Sequence, residues 1–223
     1  NVEITGFKHM LKKAWSWGLI EHNPFHDGES LKLKGENRRT RFLKKDEIPK
    51  LLLACAPHLQ PIVEAAIHLG TRAGREILDL RWGDVDFEEK RVRIRRGKTG
   101  SVDFVPMNED CEALFRRIQP KKVAAEGHVF LYEGQPIKSV RRSFRTACQN
   151  AGIDDFRFHD LRHTCASHLI MAGCGLKEVS EHLGHKDIST TNRYLHLTDE
   201  ARHKAAGLLT GLTKISPKIK KIR

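Results

Sequence analysis

Residues 159–194 read HDLRHTCASHLIMAGCGLKEVSEHLGHKDISTTNRY, and the rest of the chain is best read outward from them. His159 and Arg162 lie three residues apart in a helix-compatible segment, a spacing that sets both side chains on one helical face. Glycines at 173 and 175 interrupt it, and a short apolar helix then ends at Leu183-Gly184-His185, which puts His185 in a turn. Tyr194 follows at the end of a Thr-rich run. Hydrogen-bond donors gathered beside one phenol predict an anion pocket with a nucleophile next to it.

The composition agrees with an anionic partner. The 223 residues include 40 Lys and Arg against 28 Asp and Glu, a net charge of +12. Basic residues bunch at Arg91–Lys98 and again at Lys214–Arg223, with no acid in either run. That pattern points to a polyanion, of which nucleic acid is the commonest. A hydrophobic content of 39% suffices for a real core. No run nears the eighteen or so apolar residues needed to span a bilayer, and no signal peptide opens the chain, so no membrane partner is expected. The five cysteines, at 55, 111, 148, 165 and 174, form no CxxC pair and sit in apolar helical contexts; they read as buried reduced thiols of a cytoplasmic protein. An amphipathic pattern is already under way by Phe7, as in a fragment of a longer protein.

In chain order, Phe7, Met10, Leu11, Ala14 and Trp15 predict a helix over 7–20 that stops at Gly18 and Asn23-Pro24. Residues 26–42 have linker composition. Asp46 is the expected N-cap of the next helix, whose apolar face is Leu51–Cys55; another runs from Pro61 to Gly70, and a short one begins near Gly74. Val92 and Ile94 alternate with Arg91, Arg93 and Arg95, the period of a half-buried strand. Gly97–Gly100 is the turn to a partner strand through Val102, Phe104 and Val105, so Lys98 is expected at a hairpin tip. Asn108 caps a helix to Gln119, a further helix spans Val140 to Gly152, and a last one runs from about Thr198 to Leu208 before a basic tail. The expected fold is mainly α with a small antiparallel β-sheet.

HDLRH, LGH and a tyrosine nine residues beyond that histidine resemble the boxes of the tyrosine recombinase (phage integrase) family. The likeness extends to EILDLRWGDVDF, to the GKTG hairpin followed by VPM, and to WGLIEHNPF near the start. It implies the family's catalytic-domain fold over 38–210, preceded at 1–37 by the end of a core-binding domain plus linker, with a basic tail at 211–223. It also implies site-specific cleavage and rejoining of double-stranded DNA through a 3′-phosphotyrosine, with no cofactor and no metal, by a homo-tetramer on DNA that is a monomer in isolation. By the same resemblance Tyr194 is the nucleophile, Arg162 and a second arginine hold the phosphate, Lys98 protonates the departing 5′ oxygen, His159 assists as acid or base, and His185 donates to the phosphate.

The second arginine is where the chain departs from the pattern. The family usually carries Arg three residues before a Glu, and three before Glu76 stands Ala73. GTRAG read from its left favours Arg72, with Arg75 as an extra residue, whereas counting back from Trp82 and Asp84 lands on Ala73. Arg72 is the expected site residue; the alternative is a DNA-binding domain of the same fold, inactive through a disrupted first arginine box. His163 and His168 read as structural, Glu76 as a brace for an arginine, and Arg162 has Asp160 and Glu178 as rival partners. A zincin reading of His159 and His163 fails because Asp160 stands where the motif needs Glu.

Overall fold

A computed structural model describes residues 2–26, 41–72, 74–96, 100–185 and 187–197, together with 206–207 and 210. The linker at 27–40, Ala73, the turn bearing Lys98, most of the expected helix at 198–208 and the basic tail lie outside the described residues. The chain divides into two compact units, Asn1–Arg39 and Thr40–Arg223.

The first unit carries helix α1, Val2–Ser16, which starts earlier than the apolar spacing predicts and is closed by Gly18 in the left-handed region. The second unit is mainly helical. Helix α2 spans Glu47–Ala54, α3 Gln60–Leu69 and the single turn α4 Arg75–Leu78. A 3-10 turn at Trp82–Asp84 leads into strand β1, Val85–Asp86, which pairs antiparallel with β2, Arg91–Arg95; β2 pairs in turn with β3, Val102–Pro106. Val92 and Ile94 face the core while Arg95 is exposed, the predicted alternation. Helix α5 is Glu109–Ile118, and Asn108 caps it as expected, its side chain accepting from Cys111 N–H at 2.9 Å. Helix α6 spans Arg141–Asn150, α7 Asp160–Met171 and α8 Leu176–Leu183; Tyr194 rides on a 3-10 segment, Asn192–Leu197.

Three local expectations fail. Asp46 stands at the N-cap of α2 without capping it, because its backbone is already helical (φ −79°, ψ −21°) and its carboxylate pairs with Lys50. The sequence reading has no counterpart to the two-residue strands β4, Leu131–Tyr132, and β5, Gln135–Pro136, whose ladder is too short to show an alternation. Cys174 is exposed rather than buried, since it lies in the glycine turn between α7 and α8, and Cys55 at the end of α2 is only partly buried, whereas Cys111, Cys148 and Cys165 are buried as expected.

One apolar core joins α2, α3, α5, α6 and the sheet through Leu51, Ile62, Leu69, Ile94, Phe115 and Phe144. A second, smaller cluster lies between α7 and α8 and includes Cys165, Ile170, Val179, Leu183 and the ring of Tyr194. Among the described residues no helix is long and apolar enough to cross a membrane.

Candidate active site

Arg162 is the joint of the site. It projects from the first turn of α7 and is 3% exposed. Its two terminal nitrogens donate to Gly70 O at 2.7 Å and to Leu183 O at 2.6 Å. Gly70 and Gly184 are left-handed caps (φ +57° and +64°) of α3 and α8. Helix C-termini expose carbonyls that lack intrahelical partners and carry partial negative charge, so a guanidinium fits there. The rival partners Asp160 and Glu178 are thus displaced by two backbone carbonyls. The outcome is topological: one side chain draws the turn of Arg72 and the turn of His185 onto α7. A guanidinium has five N–H groups, and two are spent on these bonds, so three remain for an anion.

Close packing enforces this meeting. A Cβ on Gly70 would stand 2.4 Å from Leu183 Cδ2 and 3.2 Å from Cys165 Sγ. Nothing larger than glycine fits where α3 ends against α7 and α8.

Arg72 is held by Glu76, as the brace reading expects. Its backbone N–H donates to Glu76 Oε2 at 2.9 Å and its guanidinium to Oε1 at 3.0 Å. The carboxylate also accepts from Arg96 at 3.0 Å. Burial works against the Glu76 carboxylate, but its bonds to Arg72 and the charge of Arg96 prevail and hold its pKa below the usual range. Arg96, which the sequence reading did not single out, is 1% exposed and also binds Asp103 at 2.7 Å. Its signal was present: it is the last residue before the hairpin turn, and the preceding alternation would point it inward. The side chain of Arg75 is not described.

The charges of these groups register on their neighbours. Burial, followed by the like charges of Arg72 and Arg96, lowers Arg162 to about 10. Burial, then Arg162 and Arg72, pushes His185 down to about 3, and its Nδ1 lies 2.8 Å from Thr191 Oγ1. Burial and Arg162 also lower His159, the N-cap of α7. Arg72, Arg162, His159 and His185 therefore lie in one electropositive region, with Arg96 and Arg193 added to it. Lys98 falls outside the described residues.

Tyr194 is 3% exposed, and burial raises its phenol to about 12. Its hydroxyl lies 2.5 Å from Nδ1 of His163. The structural reading of His163 thus missed its partner: the helical face it shares with His159 looks onto the segment of Tyr194, which sequence spacing alone does not reveal. His168 is a structural histidine as expected, with Nε2 2.8 Å from Leu43 O. Among the described residues no three His, Cys, Asp or Glu side chains converge as a metal site would need.

Known proteins resemble the chain in sequence and in shape. The sequence pattern of the phage integrase family matches residues 41–201. The integrase of Salmonella phage P22 is 33% identical over 215 residues, which cover 87% of this chain and 52% of that protein. Tyrosine recombinase XerC of Staphylococcus epidermidis is 32% identical over 151 residues, 64% of this chain and 50% of the relative. The chain therefore spans about half the length of these two relatives. Among solved structures, the catalytic domain of bacteriophage HP1 integrase superposes with a TM-score of 0.59 at 27% identity, covering 78% of this chain and 98% of that one. The Tn1549 transposon integrase in complex with a circular intermediate DNA gives a TM-score of 0.72 at 21% identity, covering 94% and 80%, a likeness of fold. With its three boxes converged on Arg162 and this pattern running through 161 (201 − 41 + 1) of its 223 residues, the chain belongs to the phage integrase family.

Proposed function

We propose that the chain cleaves and rejoins double-stranded DNA, with Tyr194 forming a 3′-phosphotyrosine. The observation that carries this is the pair of hydrogen bonds that Arg162 donates to Gly70 O and Leu183 O, which brings two arginines and a histidine toward the helix that the tyrosine segment packs on. A phosphodiester is stabilised in its transition state by positioned positive charge, and planar guanidinium forks match its nonbridging oxygens. In this reading Arg162 and Arg72 hold those oxygens, His185 donates to one of them, and His159 assists proton transfer at the edge of the site. Lys98 protonates the departing 5′ oxygen. The phosphotyrosine keeps the energy of the diester, so the reverse step needs no nucleotide.

The names of the relatives, integrase and tyrosine recombinase, support the same reaction and lend nothing to the binding-only alternative. We assign residues 1–37 to the end of a core-binding domain and its linker, 38–210 to the catalytic domain, and 211–223 to a basic tail. The active species is a homo-tetramer on DNA assembled from monomers, acting in the cytoplasm.

The test is a covalent one. Incubated in EDTA with a pool of nicked duplexes of randomised sequence, the chain should become linked to DNA, and Tyr194→Phe should bind DNA without linking. An adduct formed by Tyr194→Phe would overturn the assignment, as would adduct formation that requires Mg²⁺.

A further inference from the structure

A phenol attacking phosphorus must shed its proton, and near neutral pH the Tyr194 phenol holds it firmly. The group positioned to receive it is not His159. His159 meets His163 edge-on, ring centroids 5.4 Å apart, and is exposed at the start of α7, whereas the hydrogen bond to the phenol is made by His163. His163 lies one turn deeper, 5% exposed, with Nδ1 2.5 Å from the Tyr194 hydroxyl. Arg162, its neighbour in sequence, is the residue that holds the phosphate in the reading above. His163 and Arg162 are thus adjacent residues of one helical turn, and the segment of Tyr194 packs against their helix.

We propose that His163 is a catalytic residue of the cleavage step, the general base that takes the phenolic proton of Tyr194; this rests on the phosphotyrosine reading above. As the Tyr194 O–P bond forms and the P–O5′ bond breaks, the phenolic proton passes to Nδ1. The departing 5′ oxygen takes its proton from a general acid, Lys98 in that reading. Rejoining reverses each transfer, and the imidazolium returns its proton to the phenolate.

The surroundings suit a base that works only when DNA is present. The titratable and charged groups that face His163 are His159, Asp160 and Arg162 on its own helix, with Arg193 and Tyr194 on the nucleophile segment. Burial, then His159 and Arg193, push the imidazole down to about 4, so at neutral pH it is uncharged, and in the Nε2–H tautomer that the proposal requires its Nδ1 accepts from the phenol O–H. A phosphodiester seated on Arg162 cancels one of the opposing charges and raises the proton affinity of His163 at the moment of attack.

The experiment uses the intact chain and a duplex recovered from its own adducts, made with either oxygen or sulfur at the 5′ leaving position. His163→Ala removes the acceptor. His163→Asn offers an amide oxygen near the Nδ1 position, so it keeps a hydrogen bond but cannot take the proton. Both variants should lose about 10²–10⁴-fold in single-turnover cleavage, the usual contribution of a general base. The loss should persist with the sulfur leaving group, which repairs only a missing acid. The parent's limb for a titrating base should vanish from the pH profile. His163→Asn cleaving within tenfold of the parent, or faster, would mean that His163 only positions or restrains the tyrosine, and would overturn the proposal. The unmodified protein gives a check independent of variant folding: ¹⁵N resonances should report the Nε2–H tautomer of His163, and an Nδ1–H tautomer would equally overturn it. Absence of any adduct in the parent defeats the phosphotyrosine reading itself, whereas an active parent with active variants defeats this inference alone.

Discussion

Arg162→Ala should unfold the site as well as silence it, and the two losses can be measured separately. The side chain is 3% exposed and bonded to the carbonyls of Gly70 and Leu183. Its removal strands two buried acceptors, at about 1–3 kcal/mol each, and opens a cavity beneath the caps of α3 and α8. Against this, the mutation relieves the cost of holding a guanidinium near Arg72 and Arg96, the charges that help to lower Arg162. The net expectation is about 3 kcal/mol of lost stability. For a domain of this size that corresponds to a fall of roughly 6–12 °C in Tm, readable by calorimetry without DNA. Arg162→Lys restores a charge but cannot span two carbonyls on different helices, so it should recover less than half of that loss. A Tm for Arg162→Ala within 2 °C of the parent (about 1 kcal/mol or less) would refute the view that this arginine joins the three boxes.

Three further outcomes follow from the same contacts. Arg72→Ala should cost cleavage two orders of magnitude or more but only about 1 kcal/mol or less of stability, because its guanidinium is one-third exposed and Glu76 keeps Arg96; cleavage that survives Arg72→Ala but fails in Arg75→Ala would move the site residue to Arg75. Gly184→Ala should lower Tm by roughly 5 °C or more, since its φ is +64° and the new Cβ would stand 2.2 Å from Asp103 Oδ2 and 2.6 Å from Arg96 Nε; an unchanged melting curve would contradict that approach. His163 and His185 are lowered to about 4 and about 3 from an unfolded value near 6.5, so the stability they contribute is whole above about pH 6.5 and is lost as pH falls through their folded values. The urea midpoint should therefore decline from pH 6.5 toward pH 3, and a flat midpoint over that range would exclude the shifts.

How much of this was legible in the sequence depends on whether the signal was local. The β2–β3 hairpin could be read because each strand carries its own period, and α5 because Asn108 and its acidic first turn are contiguous. The boxes of the site could be read because their residue types and spacings are themselves the signal. Partnerships across the fold could not. That Arg162 bonds carbonyls 92 and 21 residues away, or that His163 meets a tyrosine 31 residues on, is a product of how α3, α7 and α8 pack. Composition favoured apolar surroundings for all five cysteines, yet Cys174 is exposed because the glycines beside it make a turn.

The arginine register is the instructive case, because two countings of the same sequence disagreed and packing supplies a third criterion. An arginine can serve an anion site only if something fixes it against the pull of solvent and of the other cations. Glu76 does this for Arg72 twice, at the backbone N–H and at the guanidinium. Only Glu76 of the pair lies on a helix, α4 at Arg75–Leu78, and from its first turn the carboxylate reaches back to Arg72 in the chain before the helix. The same carboxylate is shared with Arg96 just beyond β2, so Arg72 is tied through Glu76 of α4 to the hairpin. The family pattern has Arg three before Glu, whereas the arginine that Glu76 holds here stands four before it, with Gly74 between them at φ +86°, a conformation that glycine takes readily. Those bonds favour Arg72 over Ala73 as the arginine of this box, and cleavage by Arg72→Ala set beside Arg75→Ala decides between the countings.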